Sequence, residues 1–379
     1  MNEKEYKICN RCVMDTSDVD IVFDEKGNCY HCNGYYARIA NRVYKGEESD
    51  RHLDELINKI KVSGKGKEYD CVIGISGGID SCYVAYIAKQ RGLNPLLVHM
   101  DNGWNSEISV KNIKNIAQIL GFDYESYVLD WEEFKDLQLA FLKASVPEIE
   151  TPTDIAIPAA LHQIAAQHGI KYIISGGNFA TEGILPKTWH YNAKDMTYLD
   201  YIQDNFGTKK LKKFPRFGWK EEAYYKVVKG IRIIYMLNYV PYNKADAMRI
   251  LETELGWKYY GGKHYESKYT GFVQSYILPE KFNIDYRRAT LSTQICAGEV
   301  SRAEALKEFD KKPYDSVKAK EEQDYVCKKL GISEATFKQI MADPPKLYRD
   351  YPNSEKALNR LYDIYRKLTG SVKYQAEAQ

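Results

Sequence analysis

The stretch that decides the fold is C-V-I-G-I-S-G-G-I-D-S, residues 71–81. It begins with a short apolar run, turns at two adjacent glycines and leads into a helical pattern. The two glycines let the backbone turn tightly, so that successive N–H groups point at one anion. The start of the helix adds the positive end of its dipole, and Ser76 and Ser81 can each donate a hydroxyl hydrogen bond. The stretch therefore predicts a phosphate-binding loop between a buried strand and a helix.

Asp80 lies inside this loop, where its charge would repel a phosphate. It fits there as a helix N-terminal residue or as a holder of Mg²⁺ bound to the phosphates. The chain has no G-x-x-x-x-G-K-[ST] and no G-x-G-x-x-G after a strand, so a Walker loop and a dinucleotide fingerprint are excluded. The alternative to a phosphate loop is an ordinary strand-to-helix turn with two glycines.

Outward from this loop, short apolar runs alternate with helical patterns, which indicates βαβ units. The predicted strands are 71–75, 95–100, 124–129, 172–175 and 231–240, and the predicted helices are 50–62, 80–91, 106–120, 131–145, 156–168 and 244–255. Residues 180–230 are aromatic, basic and irregular, and we interpret them as an insertion over the crevice at the carboxyl ends of the strands. From about residue 270 the chain reads mainly as helices, at 302–309, 316–330, 333–341 and 354–368.

The first 32 residues carry two C-x2-C pairs separated by sixteen residues, formed by Cys9, Cys12, Cys29 and Cys32. This spacing is typical of zinc sites, because two thiolates on each tight knuckle can reach one ion and two knuckles complete a tetrahedron. Four sulfur ligands leave no open position, so we expect a structural zinc. An iron–sulfur cluster, or His31 in place of one cysteine, is the alternative.

Between the two cysteine pairs, residues 24–28 read as a hairpin turn and 19–23 as one short strand of that hairpin. The four remaining cysteines, which we interpret as buried small hydrophobic residues, are Cys71, Cys82, Cys296 and Cys327.

The composition is that of a soluble globular protein of 379 residues, with 54 Lys and Arg against 52 Asp and Glu. A net charge of +2 argues against a dedicated nucleic-acid coat or a polybasic membrane binder. No apolar stretch approaches the ~18 residues of a membrane span, and the N-terminus lacks the apolar core of a signal peptide. Eight cysteines without a secretory signal indicate the reducing cytoplasm.

Residues 76–81 resemble the S-G-G-x-D-S signature of the PP-loop ATP pyrophosphatases, a superfamily with a doubly wound, HUP-like sheet. The resemblance implies that ATP is cleaved between its α- and β-phosphates. It also implies a set of ATP-binding residues at the strand ends: Ser76, Gly77, Gly78, Asp80, Ser81, Met100, Asp101, Ser175, Gly176 and Asn178.

A second resemblance covers nearly the whole chain and is to the N-acetyl sugar amidotransferases of lipopolysaccharide O-antigen and pseudaminic or legionaminic acid pathways. The segments that carry it are 9–18, 23–25, 29–32, 261–267, 278–285 and 287–292. It implies that the acetamido oxygen of a sugar, expected to be nucleotide-linked, is adenylated and replaced by ammonia to give an acetamidino group. One departure from the family pattern is Thr290, where a histidine is expected, so no role is assigned to that position.

The resemblance implies roles for several side chains. The expected catalytic residues are Asp80, Glu182 and Lys263, and the expected sugar-binding residues are His190, His264 and Arg287. Lys263 follows two glycines and would neutralise pyrophosphate, and Glu182 would hold magnesium or act as a base; a solvated loop lysine and a surface acid are the alternatives.

We expect three domains: a four-cysteine zinc module at 1–46, a PP-loop domain at 47–268 with the 180–230 insertion, and a mainly helical domain at 269–379. The sequence shows no glutaminase segment of its own, so the resemblance implies separate glutaminase and synthase-like subunits that supply ammonia. The rival interpretation is a tRNA-modifying PP-loop enzyme of the thiolase type, which would account for the basic run at 209–216. No cysteine pair for sulfur transfer is evident near the loop, and we expect no nucleic-acid partner.

Overall fold

A computed structural model describes residues 5–261 and 265–369 and contains a five-stranded parallel sheet with the order β3-β2-β1-β4-β5. The strands are β1 (Cys71–Gly74), β2 (Pro95–Asp101), β3 (Tyr124–Val128), β4 (Tyr172–Ser175) and β5 (Arg232–Tyr235). The chain runs outward from β1 to β3, then crosses back to place β4 on the other side of β1. The connections therefore reverse direction between β1 and β4, which opens a crevice at their carboxyl ends.

Seventeen α-helices surround this sheet or follow it within the described ranges. The first ten are α1 (Tyr30–Ile39), α2 (Gly46–Gly64), α3 (Ile79–Gln90), α4 (Glu107–Leu120), α5 (Trp131–Lys143), α6 (Thr151–Gln167), α7 (Phe179–Glu182), α8 (Met196–Phe206), α9 (Trp219–Ala223) and α10 (Lys244–Leu255). The others are α11 (Lys268–Phe272), α12 (Leu278–Phe282), α13 (Arg287–Ala297), α14 (Arg302–Lys307), α15 (Ser316–Leu330), α16 (Glu334–Ala342) and α17 (Glu355–Thr369). A π-helical turn continues α9 at Tyr224–Val228, another joins α11 to α12 at Val273–Ile277, and 3-10 turns occupy Met236–Tyr239, Glu308–Asp310 and Tyr348–Asp350.

Helices cover both faces of the sheet, because alternate strand residues point to opposite sides. Cys71 and Ile73 pack with the apolar stripes of α2, α3, α4 and α10. Val72 packs on the other face against Leu161 and Ile164 of α6. The doubly wound α/β fold predicted from the sequence is confirmed, together with the helical C-terminal region.

The predicted fifth strand, 231–240, is too long. Its partner β4 ends at Ser175, so residues beyond Tyr235 have no neighbouring strand to pair with. The chain instead turns in a 3-10 helix whose first residue, Met236, is fully buried. Helix α6, predicted from 156, begins five residues earlier at Thr151 with a proline in its first turn.

The predicted strand at 19–23 is wrong. In the described part of this segment only Phe23 forms a bridge, opposite Cys29. The turn between them is closed by Asp24, whose carboxylate accepts hydrogen bonds from the amides of Lys26 and Asn28 at 2.9 and 2.8 Å. The predicted turn is therefore correct, but it is held by a side chain and not by a paired ladder.

The N-terminal cysteine segment packs against the C-terminal helices. Arg302 donates to the main-chain oxygens of Cys9 and Cys12 at 2.9 and 3.1 Å. Arg288 pairs with Asp15 at 3.0 Å and donates to the oxygen of Val13. The N-terminal cysteine segment is thus packed against α13 and α14.

An aromatic cluster joins the loop after β2 to the C-terminal region. Trp104 is fully buried, its ring stacks on Tyr269 at 4.8 Å, and it meets Trp131 and Tyr325 edge-on. Its indole N–H donates to Gln138 of α5 at 2.7 Å. Across the described ranges, helices long enough to cross a bilayer are not apolar enough to do so.

Candidate active site

The loop at 76–81 has the tight geometry that its glycines predict. Gly77 has φ +82°, and a side chain there would lie 2.5 Å from the main-chain oxygen of Ser109. A side chain on Gly176, after β4, would lie 2.8 Å from the amide nitrogen of Ser81. Two neighbouring strand ends thus approach each other closely, and helix α3 starts between them.

Hydroxyl groups organise this loop from inside. The Ser81 hydroxyl accepts from the Ser76 amide and donates to the Gly78 oxygen, both at 3.2 Å. The indole N–H of Trp257 donates to the Gly77 oxygen at 2.9 Å. Two loop carbonyls are therefore turned toward the protein. The amides of Ser76 and Gly78 also bond inside the loop, each at 3.2 Å, which leaves the other loop N–H groups to face an anion.

Asp80 is held by the hydroxyl of Tyr242, which donates to its Oδ1. Burial beside this carboxylate raises the pKa of Tyr242 far above its usual value, so the tyrosine remains the donor. Tyr260 and Glu266 reach over the loop: a side chain on Gly78 would lie 3.3 Å from the Tyr260 hydroxyl and 3.6 Å from Glu266 Oε1.

Magnesium fits this edge of the sheet as an ion shared with phosphates. Within the described ranges, no three carboxylates here bring their oxygens within 4.8 Å of one another. Mg²⁺ commonly uses one or two protein carboxylates together with substrate phosphates and water. Asp80, Glu182 and Glu266 can supply those carboxylates, since all three line the same cavity.

A cavity of about 490 Å³ extends from the loop along the carboxyl edge of the sheet. The loop and strand ends contribute Ser76, Asp80, Ser81, His99, Met100, Asn102, Ser175 and Gly176. The approach to α6 and its first turns contribute Pro147, Glu148, Glu150, Thr153, Asp154 and Ile157. The start of the insertion contributes Thr181, Glu182, Leu185, Trp189 and His190, and the C-terminal part contributes Glu266, Ser267, Thr270, Gln274, Tyr286 and Thr290.

Most of the residues that the sequence predicts to bind ATP line this cavity, but some of them lie elsewhere. Asp101 and Asn178 stabilise loops instead of lining it: Asp101 accepts from the Gly103 amide at 2.8 Å, and Asn178 caps α7 through the Thr181 amide at 2.8 Å. Gly78 lines a small adjoining pocket together with Asp80. The predictions for Lys263 and His264 lie outside the described residues.

The two other residues predicted to bind the sugar lie in different places. His190 lines the cavity, with its Nδ1 3.8 Å from Asp154 Oδ2. Arg287 faces away from the cavity: it pairs with Asp285 at 2.6 Å and donates to the main-chain oxygens of Glu308 and Lys311. The direction of Arg287 follows from these acceptors, which hold its guanidinium at the start of α13, whereas Thr290, one turn later, lines the cavity.

The sequence reasoning missed the acidic residues at the far end of the cavity. Burial raises the pKa values of Glu148 and Glu150 to about 8 each. The Thr270 hydroxyl donates to Glu150 Oε2 at 2.7 Å. His99 was also missed: its pKa is lowered by burial, and its Nδ1–H donates to the Ile75 oxygen at 3.0 Å. The only sign of Glu148 and Glu150 in the sequence was the run P-E-I-E before a helix.

The four N-terminal cysteines converge, with sulfur atoms all within 4.8 Å of one another. Two of the pairs are separated by 3.8 Å (Cys9 and Cys32) and 3.5 Å (Cys12 and Cys29). Sulfurs 2.3 Å from a tetrahedral zinc would be about 3.8 Å apart, so the geometry fits that ion. The amide N–H groups of Cys12 and Cys29 donate to the Cys9 sulfur, as expected for a thiolate knuckle. The other four cysteines are buried, as predicted.

The insertion covers the cavity only through its first residues, up to about His190. The rest packs beside α5, and the basic run is bound to acidic groups there. Lys209 pairs with Glu132 and Lys213 with Asp130, both at 2.7 Å. The amides of residues 212–214 all donate to one oxygen of Glu133.

Two protein families match separate parts of the chain. Residues 51–146 match the family described as NAD synthase, and residues 266–369 match the family described as "LPS biosynthesis protein WbpG-like, C-terminal domain". Together with the strand order and the S-G-G-x-D-S loop, the first match defines an ATP-using protein of the PP-loop superfamily. The second match assigns residues 266–369 to a WbpG-like C-terminal domain, and the recognition made from the sequence is confirmed.

The chain is also similar to curated proteins over its PP-loop part. It is 32% identical to the tRNA(Ile)-lysidine synthase of Chlamydia pneumoniae over 92 residues, which are 24% of this chain and 27% of that protein. It is 26% identical to a tRNA-specific 2-thiouridylase of Aliarcobacter butzleri over 181 residues, 41% of this chain and 51% of that protein. The NMN synthetase structure of Francisella tularensis aligns with TM-score 0.29 and 15% identity, covering 58% of this chain and all of that one. The chain thus spans about a quarter to half of the length of these curated relatives.

Proposed function

We propose that this protein is an ATP-dependent amidotransferase that converts the acetamido group of a sugar into an acetamidino group for surface polysaccharide biosynthesis. The observation that carries the proposal is the shared cavity. The segment that matches NAD synthase supplies its phosphate loop, and the segment that matches the WbpG-like domain supplies the opposite wall. A nucleotide site and a wall from an LPS-type domain therefore face the same space.

The chemistry explains why one cavity needs both parts. An amide oxygen is a poor leaving group, and transfer of an adenylyl group to it makes it a good one. In this proposal the Gly77 amide, the Ser76 hydroxyl and the start of α3 bind the departing pyrophosphate. The Ser81 hydroxyl and the Gly78 amide, which bond within the loop, hold its shape. Asp80 and Glu182 hold the magnesium ion that neutralises the phosphates, and the C-terminal wall orients the acetamido oxygen toward the α-phosphorus.

The three segments then have distinct roles. The cysteine module at 1–46 binds structural zinc, residues 47–268 bind ATP, and the remainder contributes to the sugar site. His190 lies where it can contact the sugar, which we expect to be nucleotide-linked. We place the reaction in the cytoplasm, where nucleotide sugars and free thiols coexist.

The direct test supplies the purified chain with ATP and either UDP-linked or CMP-linked acetamido sugars. Ammonium chloride at about pH 8.5 serves as nitrogen source, because at neutral pH only about one part in a hundred of ammonium is the reactive base. We expect AMP, pyrophosphate and a sugar one mass unit lighter, since NH replaces O. Failure of every acetamido sugar to release AMP would remove the proposal.

Glutamine in place of ammonium tests the partner. We expect little turnover with glutamine alone, because the four cysteines outside the zinc cluster are buried and the pKa values of Cys71 and Cys82 are raised by that burial. A separate glutaminase would restore activity. Efficient glutamine use by the chain alone would contradict this expectation.

A tRNA-modifying enzyme is the second candidate, favoured by the similarity to 2-thiouridylases and lysidine synthases. Two features weaken it: the basic run is paired with acids of α5, and burial raises the pKa of Cys82, the cysteine next to the loop. Addition of tRNA to the same assay distinguishes the two, since tRNA-dependent AMP release would favour this candidate.

A further inference from the structure

The far end of the cavity is acidic and aromatic. Burial raises the pKa of Tyr286, and the nearby carboxyl groups of Asp154, Glu148 and Glu150, at the approach to α6 and in its first turn, raise it further. Trp189 lies on the same side, with its ring 6.0 Å from that of Tyr286. Carboxylates and aromatic faces together are the groups that recognise organic cations.

Two buried polar groups at this end have unfilled hydrogen-bonding capacity. Glu148 is only 2% exposed, and its one polar side-chain neighbour in the described ranges is the buried Tyr198 hydroxyl, which does not reach it with good hydrogen-bond geometry. The indole N–H of Trp189, which is 1% exposed, has no acceptor in those ranges. Leaving a buried carboxyl without a partner is costly, so Glu148 points to a ligand that donates hydrogen bonds.

The charged side chains that line the cavity are mainly acidic. Its acidic lining residues are Asp80, Glu148, Glu150, Asp154, Glu182 and Glu266. Its basic lining residues within the described ranges are two histidines, His99 and His190, and His190 lies 3.8 Å from Asp154; no lysine or arginine lines it there. A magnesium ion with ATP accounts for the acids near the loop but not for those beside Tyr286. The three acids at the far end do not bring their oxygens within 4.8 Å of one another, which disfavours one metal ion shared by all three.

We propose that Glu148, Glu150 and Asp154, with Trp189 and Tyr286, form a subsite for the nitrogen cations of the reaction: ammonium on entry and the acetamidinium group of the product. This inference rests on the proposed function, because it assumes that nitrogen replaces an amide oxygen. Both ligands share one chemistry, N–H groups with a positive charge, which donate to carboxylates and pack on aromatic faces.

The proton balance gives Glu150 a role. Its carboxylate takes one proton from ammonium, which leaves neutral ammonia. The nitrogen lone pair forms the new C–N bond, the C–O bond to AMP breaks, and AMP leaves with the bonding electrons. The amide hydrogen of the sugar and the three hydrogens of ammonia make four. One leaves as a proton with the AMP phosphate, and the other three are shared between the two nitrogens of the product, a cation that faces Glu150, Glu148 and Asp154.

The ionisation of Glu150 suits this role. Its pKa is raised to about 8 by burial, and the charge of Asp154 contributes to the rise. The other groups that face it are the Thr270 hydroxyl and the phenols of Tyr269 and Tyr286, which remain neutral. A base with a pKa about one unit below that of ammonium removes its proton far more readily than an ordinary glutamate would.

The test uses acetamidinium chloride as the probe and acetamide as its neutral counterpart, with binding to the full chain measured by calorimetry. We expect acetamidinium to bind and acetamide to bind at least about tenfold more weakly. Glu150→Gln and Glu148→Gln should each weaken acetamidinium binding by about tenfold or more. Glu107→Gln, on the exposed start of α4, is the matched control and should bind like the wild type.

A pH series on the unmodified protein gives a second readout that does not depend on a variant folding. Acetamidinium affinity should rise by about 30-fold between pH 6.5 and 9, because the ionised fraction of a group with pKa near 8 rises by that factor. Equal binding of acetamide and acetamidinium, or affinity independent of pH and of both substitutions, would overturn the subsite. Loss of AMP release with acetamido sugars would instead count against the proposed function, and the two failures are therefore distinguishable.

Discussion

The Tyr35 hydroxyl donates a hydrogen bond to the main-chain oxygen of Ala180 at 3.1 Å. The ring of Tyr35 also stacks on Phe179 at 5.2 Å, and Gly183 packs so closely that an added side chain would lie 2.8 Å from that ring. Tyr35 belongs to the helix that carries the last cysteine of the N-terminal cluster, and Ala180 belongs to α7, which ends in Glu182. The cysteine module therefore contacts the segment that lines the candidate active site.

The first prediction concerns this contact. Tyr35→Phe keeps the ring but removes the hydrogen bond, so we expect about 1 kcal/mol loss in the free energy of unfolding. We also expect a lower kcat with unchanged zinc content, because α7 loses one anchor. Tyr36→Phe is the matched control, since that neighbouring ring is 45% exposed. Steady-state kinetics in which both variants behave alike would show that the contact does not position Glu182.

The second prediction concerns zinc. Metal analysis of protein prepared without chelators should find about one zinc per chain. Cys29→Ser should lose the metal and lower the melting temperature, because binding of a structural metal is coupled to folding. Cys327→Ser replaces a buried cysteine far from the cluster and should retain the zinc. Zinc retained in full by Cys29→Ser would refute the four-ligand assignment.

The third prediction concerns the products from ATP. We expect AMP and pyrophosphate, because the loop lacks the lysine of a Walker motif. Asp80→Ala should reduce turnover by at least about a hundredfold while the fold persists, since Asp80 lines the cavity and is not part of the buried core. Tyr242→Phe should have a smaller effect. Chromatography that finds ADP would exclude the PP-loop reaction.

The fourth prediction concerns stability against pH. Burial raises the pKa of Glu148 to about 8, whereas an unfolded glutamate titrates near about 4.3. Between these values the folded chain keeps a proton that the unfolded chain has released, so the free energy of unfolding should fall as pH rises from about 4.3 to 8. Glu148→Gln should make this decline shallower in denaturant titrations at pH 5, 6.5 and 8. Glu107→Gln should follow the wild type, and a Glu148→Gln curve parallel to both would contradict the assigned shift.

The phosphate loop and the sheet could be predicted because their determinants are local. The run 71–75 is apolar, a glycine pair follows it, and the same alternation repeats at 95–100 and 172–175. The strands of the structure begin within one residue of these runs. The N-terminal cluster of four cysteines was predictable for the same reason, since the two C-x2-C pairs lie within the first 32 residues.

The acidic end of the cavity could not be predicted, because its burial is a property of the tertiary structure. A glutamate before a helix is most often a solvent-exposed capping residue, and only the packing of α11 and the insertion against α6 encloses Glu150. Arg287 shows the converse: a basic residue in a characteristic motif faces away from the cavity, since Asp285 and the main-chain oxygens of Glu308 and Lys311 hold its guanidinium.

The cluster around Trp104 bears on how such proteins diversify. Its ring is enclosed by Trp131 from the PP-loop segment and by Tyr269 and Tyr325 from the WbpG-like segment. Gene recombination that exchanged only the C-terminal segment would uncover a large aromatic surface on its neighbour. New substrate specificities are therefore expected to arise by point changes on the cavity wall, with both segments inherited as one unit.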